Sequence, residues 1–146
     1  DIGKVGIPDS ILLKPGKLTV EEFSDMKTHT SIGAETLREV NRLHSGNDFV
    51  RIGIEIAESH HEKWDGTGYP YGLSGENIPL VGRILALPDV YDALTSSRCY
   101  KEAFSHDRSF EIIKDGRGKH FAPDVVDAFV YAEKDFVRIR EHYLDT

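Results

Sequence analysis

Cysteine is almost absent from this chain of 146 residues, because Cys99 is its single thiol. One cysteine excludes an internal disulfide, and we expect a reducing, cytoplasmic location. Long apolar runs are missing as well, since none approaches the ~20 residues of a membrane-spanning helix. The net charge is −7. This balance argues against binding to a nucleic-acid polymer, whose phosphates are neutralised by lysine and arginine. Binding of a small phosphate ligand in a local pocket is compatible with this net charge.

The chain shows no convincing strand pattern, and its apolar periodicity is helical. We therefore predict an all-α fold in a single domain that spans residues 1–146. Thr19 and Glu22 predict a capping box at the start of one helix, and Pro88 predicts a kink within another. The predicted helical segments are a turn at 8–13, a helix from Thr19 that breaks near 28–30, a segment that ends before 45–47, and helices at 49–61, 80–96, 107–115 and 123–141.

The last of these segments predicts one uninterrupted helix. Pro123 suits its first turn, and Val126, Phe129, Val130 and Val137 form an apolar stripe at helical spacing. Such a stripe is typical of a helix face that packs on the core.

Two adjacent histidines, His60 and His61, end the helix predicted at 49–61. A long stretch rich in glycine and proline follows them, from Trp64 to Pro79, and loops of this length are usually functional or disordered. Neighbouring helical residues point ~100° apart. The pair therefore does not easily chelate one ion, but each histidine can face a different ion of a cluster.

Three other residues could join the two histidines in a metal site. His29 lies at a predicted helix break, Asp89 follows Pro88, and Asp1 precedes a Gly-Lys pair. Imidazole and carboxylate ligands suit iron, manganese or zinc rather than calcium, and paired metals are a recurring device for phosphodiester cleavage. Each residue alone has an ordinary interpretation, as a satisfied histidine or a solvated carboxylate. The residues indicate a His/Asp metal site without choosing its substrate.

Several ordered motifs carry a more specific likeness. The run HHEKWDGTGYP at residues 60–70 resembles the H-H-E-x-x-D-G-x-G-Y-P signature of the HD-GYP family, and DIGK at 1–4 resembles the end of the H-D-x-G-K motif of the wider HD superfamily. Further blocks resemble the family in the right order at 27–30, 78–79, 89–96 and 98–101. The likeness extends from residue 1 to about Pro123.

The resemblance implies a helical bundle of the HD type, here lacking its N-terminal helices. It also implies a divalent metal cluster of two or three ions, most often iron or manganese. Carried over by motif position, the metal ligands are Asp1, His29, His60, His61 and Asp89.

The same resemblance implies a phosphodiesterase that hydrolyses cyclic di-GMP to linear pGpG, with a second cut to GMP known in the family. Lys4 would contact the scissile phosphate beside the bridging Asp1. Arg98 and Lys101 would hold the other phosphate, although solvated surface charge is their plainer interpretation. The Gly66–Pro70 loop, with Gly68 and Tyr69, would border the pocket and dock onto diguanylate cyclase domains.

Other interpretations stay open. The histidine expected before Asp1, and family ligands on upstream helices, are not in the sequence. We therefore expect an internal cut, a weaker or smaller cluster in this chain, and exposed apolar surface that favours a homodimer. A non-catalytic module that senses the nucleotide or recruits partners is one alternative. A hydrolase of a related cyclic dinucleotide is another.

Overall fold

A computed structural model describes residues 1–44, 46–96 and 103–144 of the chain. This described part is helical and contains no strand, only two isolated β-bridges, so the all-α prediction is confirmed. Its eight α-helices are α1 (Asp9–Leu12), α2 (Val20–Lys27), α3 (His29–Leu43), α4 (Asp48–Ser59), α5 (Leu80–Thr95), α6 (His106–Asp115), α7 (Pro123–Tyr131) and α8 (Glu133–Leu144). Short 3₁₀ helices occupy Ile2–Gly6 and Gly75–Asn77.

Helix α2 begins with the predicted capping box. The backbone N–H of Glu22 donates to the Thr19 hydroxyl at 3.2 Å, and the Thr19 N–H donates to the Glu22 carboxylate at 2.7 Å. These two bonds satisfy donors that a helix N-terminus otherwise leaves without partners. The helix ends at Lys27, and α3 starts at His29, where a break was predicted.

The N-terminal 3₁₀ helix lies against α3 so closely that only glycine fits at the contact. A Cβ placed on Gly3 would stand 1.9 Å from the carbonyl oxygen of His29 and 2.5 Å from the nitrogen of Gly33. Helix α3 packs on α4, and α4 packs on α5. The start of the chain, the start of α3 and the end of α4 therefore meet in one region.

A second layer, made from α5, α6 and α7, encloses the main hydrophobic core. Burial of these apolar side chains is the principal favourable term in folding. The buried members of this core are Leu87, Tyr91, Ile113, Phe121, Val126 and Phe129. Among the described residues, no helix combines the length and apolar character needed to cross a membrane.

The prediction of one helix at 123–141 is wrong, because the chain turns at Ala132 between α7 and α8. Ala132 has φ −91° and ψ 11°, outside the helical geometry. The turn brings Phe136 onto Phe129 and Tyr91, with ring centroids 4.7 and 5.3 Å apart. Val130, predicted to face the core, is instead 42% exposed.

Candidate metal centre

Four metal-capable side chains from three segments converge in the structure. Asp1 begins the chain, His29 begins α3, and His60 and His61 follow α4. One potential ligand atom from each residue lies within 4.8 Å of the others. Groups this close can share an ion or a small cluster. The structure therefore brings together four of the five ligands that the sequence suggested.

Backbone carbonyl groups fix the orientation of the His29 and His60 rings. Nδ1 of His29 lies 2.7 Å from the Met26 oxygen, and Nδ1 of His60 lies 2.8 Å from the Ile56 oxygen. A carbonyl only accepts, so each Nδ1 carries the proton and each Nε2 keeps its lone pair. Both Nε2 atoms are buried and have no hydrogen-bond partner among the described residues. This carbonyl–imidazole arrangement is the one that usually supports a metal-bound histidine.

Burial also keeps the three imidazoles neutral, the form that binds metals. It lowers the pKa of His29 and His60, although the backbone carbonyls oppose part of that effect. Burial likewise lowers the pKa of His61 to about 3, and the neighbouring imidazoles of His60 and His29 add to the fall. A cation can enter this group without first displacing protons near neutral pH.

The adjacent histidines converge because α4 ends at Ser59, just before them. His60 is the C-cap residue, still with helical dihedral angles, and His61 already lies in the turn that follows. Their ring centroids are 4.1 Å apart, and the His29 ring is 5.7 Å from His60 and 5.1 Å from His61. The ~100° separation expected on a continuous helix therefore does not apply to this pair.

Asp1 faces the histidines and also pairs with Lys4. Its Oδ1 lies 3.6 Å from Nε2 of His29 and 3.9 Å from Nε2 of His60, and its Oδ2 accepts a 2.7 Å hydrogen bond from the Lys4 ammonium. Because the imidazoles are neutral, these contacts are not ion pairs, and their spacing is compatible with a shared metal position. Lys4 adds a positive charge at the edge of the site.

Asp89 lies on α5 and is not among the four converging residues. Its negative charge nevertheless acts on the site: it opposes part of the fall that burial causes in the pKa of His60, and it adds to the effect of burial that raises the pKa of Tyr69 to about 12. Its role as a metal ligand stays a prediction.

The loop after His61 is ordered by a buried carboxylate that the sequence reasoning did not single out. Glu62 is 2% exposed and accepts hydrogen bonds from the backbone N–H groups of Tyr71 at 2.7 Å and Leu73 at 3.0 Å. Its place as the third residue of the HHE run was the available signal. At Gly68 a Cβ would stand 2.4 to 2.6 Å from backbone atoms of residues 61–63, so the chain can pass there only as glycine.

Tyr69 connects this loop to the metal-capable group. Its backbone N–H donates to the His61 oxygen at 3.2 Å, and its ring stacks on the His61 imidazole at 4.8 Å between centroids. On its other side Tyr69 meets the edge of Phe23 at 6.0 Å. Gly68 thus permits the close approach of the loop, and Tyr69 covers His61. The role of both residues in bordering a substrate stays a prediction.

A cavity of about 320 Å³ opens beside the metal-capable group. His29, His61, Lys4 and Tyr69 contribute to its lining, and so does Lys14, which the sequence reasoning missed. Lys14 lies just after α1, far in sequence from the motifs, and carried no signal of its own. Arg98 and Lys101, predicted to hold a phosphate, lie outside the described residues.

Residues 1–125 match the HD domain family. The chain is 59% identical over 145 residues to a protein of Vibrio cholerae serotype O1 named cyclic di-GMP phosphodiesterase, covering 99% of this chain and 30% of that protein. With its ordered motifs, the chain belongs to the HD domain family as a member of the HD-GYP group.

Two further relatives widen the comparison. A cyclic di-GMP phosphodiesterase of Thermotoga maritima is 47% identical over 148 residues, covering 100% of this chain and 39% of that protein. A Vibrio cholerae protein named 3'3'-cGAMP-specific phosphodiesterase 2 is 43% identical over 140 residues, covering 96% of this chain and 26% of that protein. The chain therefore spans only about a third of the length of these relatives.

Proposed function

We propose that the protein is a metal-dependent phosphodiesterase that hydrolyses cyclic di-GMP to linear pGpG, which a second hydrolysis converts to GMP. The observation that carries this proposal is the convergence of Asp1, His29, His60 and His61, with unpartnered Nε2 atoms on two of the imidazoles. The names of the similar proteins supply the substrate.

The donor set fits divalent transition metals. Three imidazoles and a carboxylate suit iron or manganese, and we propose a cluster of two or three ions held by these four residues together with Asp89. When bound, such ions activate a water molecule as the nucleophile and stabilise the charge that develops on phosphoryl oxygens.

The remaining roles fall to the chain's own charged groups. Asp1 would bridge two ions, since its carboxylate faces two imidazoles and stays half exposed. Lys4, held by Asp1 at the edge of the cavity, would offset negative charge on the scissile phosphate as the substrate reacts. Arg98 and Lys101 would bind the other phosphate, and Gly68 and Tyr69 would border the substrate.

Two protein partners can be proposed from the surface of the chain. We propose that the Gly66–Pro70 loop docks onto a diguanylate cyclase domain, an idea compatible with the exposed Thr67 within it. A homodimer is compatible with large apolar side chains that are exposed, such as Val5 at 94% and Tyr131 at 95%. A cytoplasmic location stays an expectation from the single cysteine.

The function is tested by assaying the full-length protein with manganese or iron(II) on cyclic di-GMP and on 3'3'-cGAMP, which the relative named for that dinucleotide makes the second candidate substrate. We expect linear product from cyclic di-GMP at the higher kcat/KM. His61→Ala should reduce turnover at least a hundredfold, because it removes a ligand. The matched control, His44→Ala, changes an exposed histidine outside the site and should leave turnover intact.

Two results would contradict the proposal. Turnover retained in His61→Ala would mean that the site is misassigned. Binding of cyclic di-GMP by metal-loaded wild-type protein without any product would instead support the non-catalytic alternative.

A further inference from the structure

The cavity beside the metal-capable group has a polar end and an apolar wall. Lys4, His29 and His61 contribute polar groups near the proposed metal position, and Ile11, Leu12, Leu18 and Met26 contribute apolar surface. Tyr69 adds an aromatic face. Apolar and aromatic walls with a few charged groups are typical of small-molecule sites.

The volume of the cavity limits the size of the ligand that it can hold. Small-molecule sites range from roughly 300 to 1,000 Å³, and this cavity, at about 320 Å³, lies at the lower end. A single nucleotide unit matches that volume better than an entire cyclic dinucleotide. One half of the proposed substrate would therefore enter this cavity, and the other half would extend beyond it.

Lys14 supplies a second cation to the cavity, in addition to Lys4. Its ammonium lies 2.5 and 2.7 Å from the two carboxylate oxygens of Glu22, and Glu22 is itself fixed by the capping box with Thr19. The side chain of Lys14 stays 30% exposed. An ammonium has three N–H donors, so Lys14 can hold Glu22 and donate to a further anion at once.

We propose that Lys14 is a phosphate-binding residue, which fixes the nucleotide unit that occupies this cavity. The inference rests on the proposed function for the identity of the ligand. Glu22, in the first turn of α2, pairs with the Lys14 ammonium and competes with a bound phosphate for it, while Lys4 and the metal-capable group occupy the other part of the lining. The plainer alternative is that Lys14 and Glu22 form an ion pair that only stabilises the fold.

Binding of GMP and guanosine to the manganese-loaded full-length protein, measured by calorimetry, separates these alternatives. Lys14→Met should weaken GMP binding about tenfold and leave guanosine binding within twofold, because only GMP carries the phosphate. Lys14→Arg should bind GMP nearly as wild type does. Thermal melting of each variant checks that it is folded.

Two further variants sharpen the test. Glu22→Gln breaks the same ion pair but keeps the cap, because glutamine also completes a capping box, and it should bind GMP at least as tightly as wild type. Lys17→Met removes an exposed lysine of the same segment and should have no effect.

The proposal is overturned if Lys14→Met binds GMP within twofold of wild type, if Lys14→Met and Glu22→Gln weaken GMP binding alike, or if the wild-type protein has no affinity for GMP. These outcomes do not depend on hydrolysis. Wild-type protein that binds GMP through Lys14 but never cleaves cyclic di-GMP would refute the proposed function and leave the role of Lys14 standing.

Discussion

At the scale of single residues, the candidate centre depends on imidazoles that are neutral and that have a fixed orientation. The carbonyl groups of Met26 and Ile56 fix the protonated nitrogen of His29 and His60, which leaves the other nitrogen for a ligand. His61 owes its low pKa to burial among the other two rings. Proton binding to any of them would therefore oppose both folding and metal binding.

The first prediction concerns pH and the metal-free protein. Unfolded histidine has a pKa near 6.5, whereas folded His61 has a pKa of about 3. Below pH 6.5 the unfolded state therefore binds more protons, so the free energy of unfolding should fall as the pH drops from 6.5 toward 3, and it should be undiminished above 6.5. The measurement is the urea midpoint in EDTA at pH 7.5 and at pH 5.0, above the range in which most carboxylates titrate.

Two variants show whether His61 causes this fall in the free energy of unfolding. His61→Gln should lose part of the fall between the two pH values, whereas His44→Gln, at an exposed histidine, should keep all of it. An identical fall in both variants would contradict the low pKa of His61.

Some residues of the site were predictable from the sequence, and others were not. Asp1, His29, His60 and His61 were predictable because they belong to motifs with fixed spacing. Lys14 was not, because a lysine on a surface segment has no distinguishing pattern until the fold places it at the cavity. Glu62 was quoted within the signature, but its hydrogen bonds to Tyr71 and Leu73 depend on how the loop returns.

At the scale of elements, the site is formed at the ends of helices. His29 stands at the first residue of α3, and His60 and His61 follow the last residue of α4. The backbone leaves the helix at these positions. Adjacent side chains can therefore point in directions that a continuous helix does not allow. The loop that follows is held onto residues 61–63 by the close approach at Gly68.

The second prediction is that Gly68→Ala disrupts this loop and the metal site together. Its Cβ would meet backbone atoms at 2.4 to 2.6 Å, which cannot move like the end of a flexible side chain. We expect a loss of about 3 kcal/mol of stability and a reduced manganese content, measured by denaturant unfolding and elemental analysis.

Gly53→Ala is the matched control, because this glycine lies within α4 and its Cβ would meet only the end of the Leu37 side chain at 3.3 Å. It should be neutral or stabilising by roughly 0.5–1 kcal/mol. Full manganese content in Gly68→Ala would argue against the role of this contact in positioning His61.

Helix boundaries were predictable where the signal is local chemistry. Thr19 and Glu22 predict the start of α2, because the capping box involves only neighbouring residues. The turn at Ala132 was not predictable, since alanine is a strong helix former and neither glycine nor proline marks the position. The packing of Phe136 on Phe129 and Tyr91 accompanies that turn and requires knowledge of the tertiary structure.

At the scale of the whole molecule, the centre exists only in the folded state. Its candidate ligands come from the chain's first residue, the start of α3 and the residues just after α4, and packing of the N-terminal 3₁₀ helix on α3 brings the first two together. An unfolded chain does not hold these groups close together, so we expect metal binding and folding to be coupled.

The third prediction follows from this coupling. At a free manganese concentration one hundred times Kd, the folded state should gain about 2.7 kcal/mol, which raises the melting temperature by roughly 5–10 °C for a chain of this size. Calorimetry with manganese and with EDTA measures the shift. In His29→Ala the shift should largely vanish, and an undiminished shift there would show that the stabilising ions bind elsewhere.

The most direct test of the central claim is a crystal structure of the manganese-loaded protein with anomalous diffraction recorded at the manganese edge. The account predicts anomalous peaks within coordination distance of Asp1, His29, His60 and His61, with Nε2 as the ligand atom of both His29 and His60. Manganese peaks that lie elsewhere, with these four side chains uncoordinated, would contradict it.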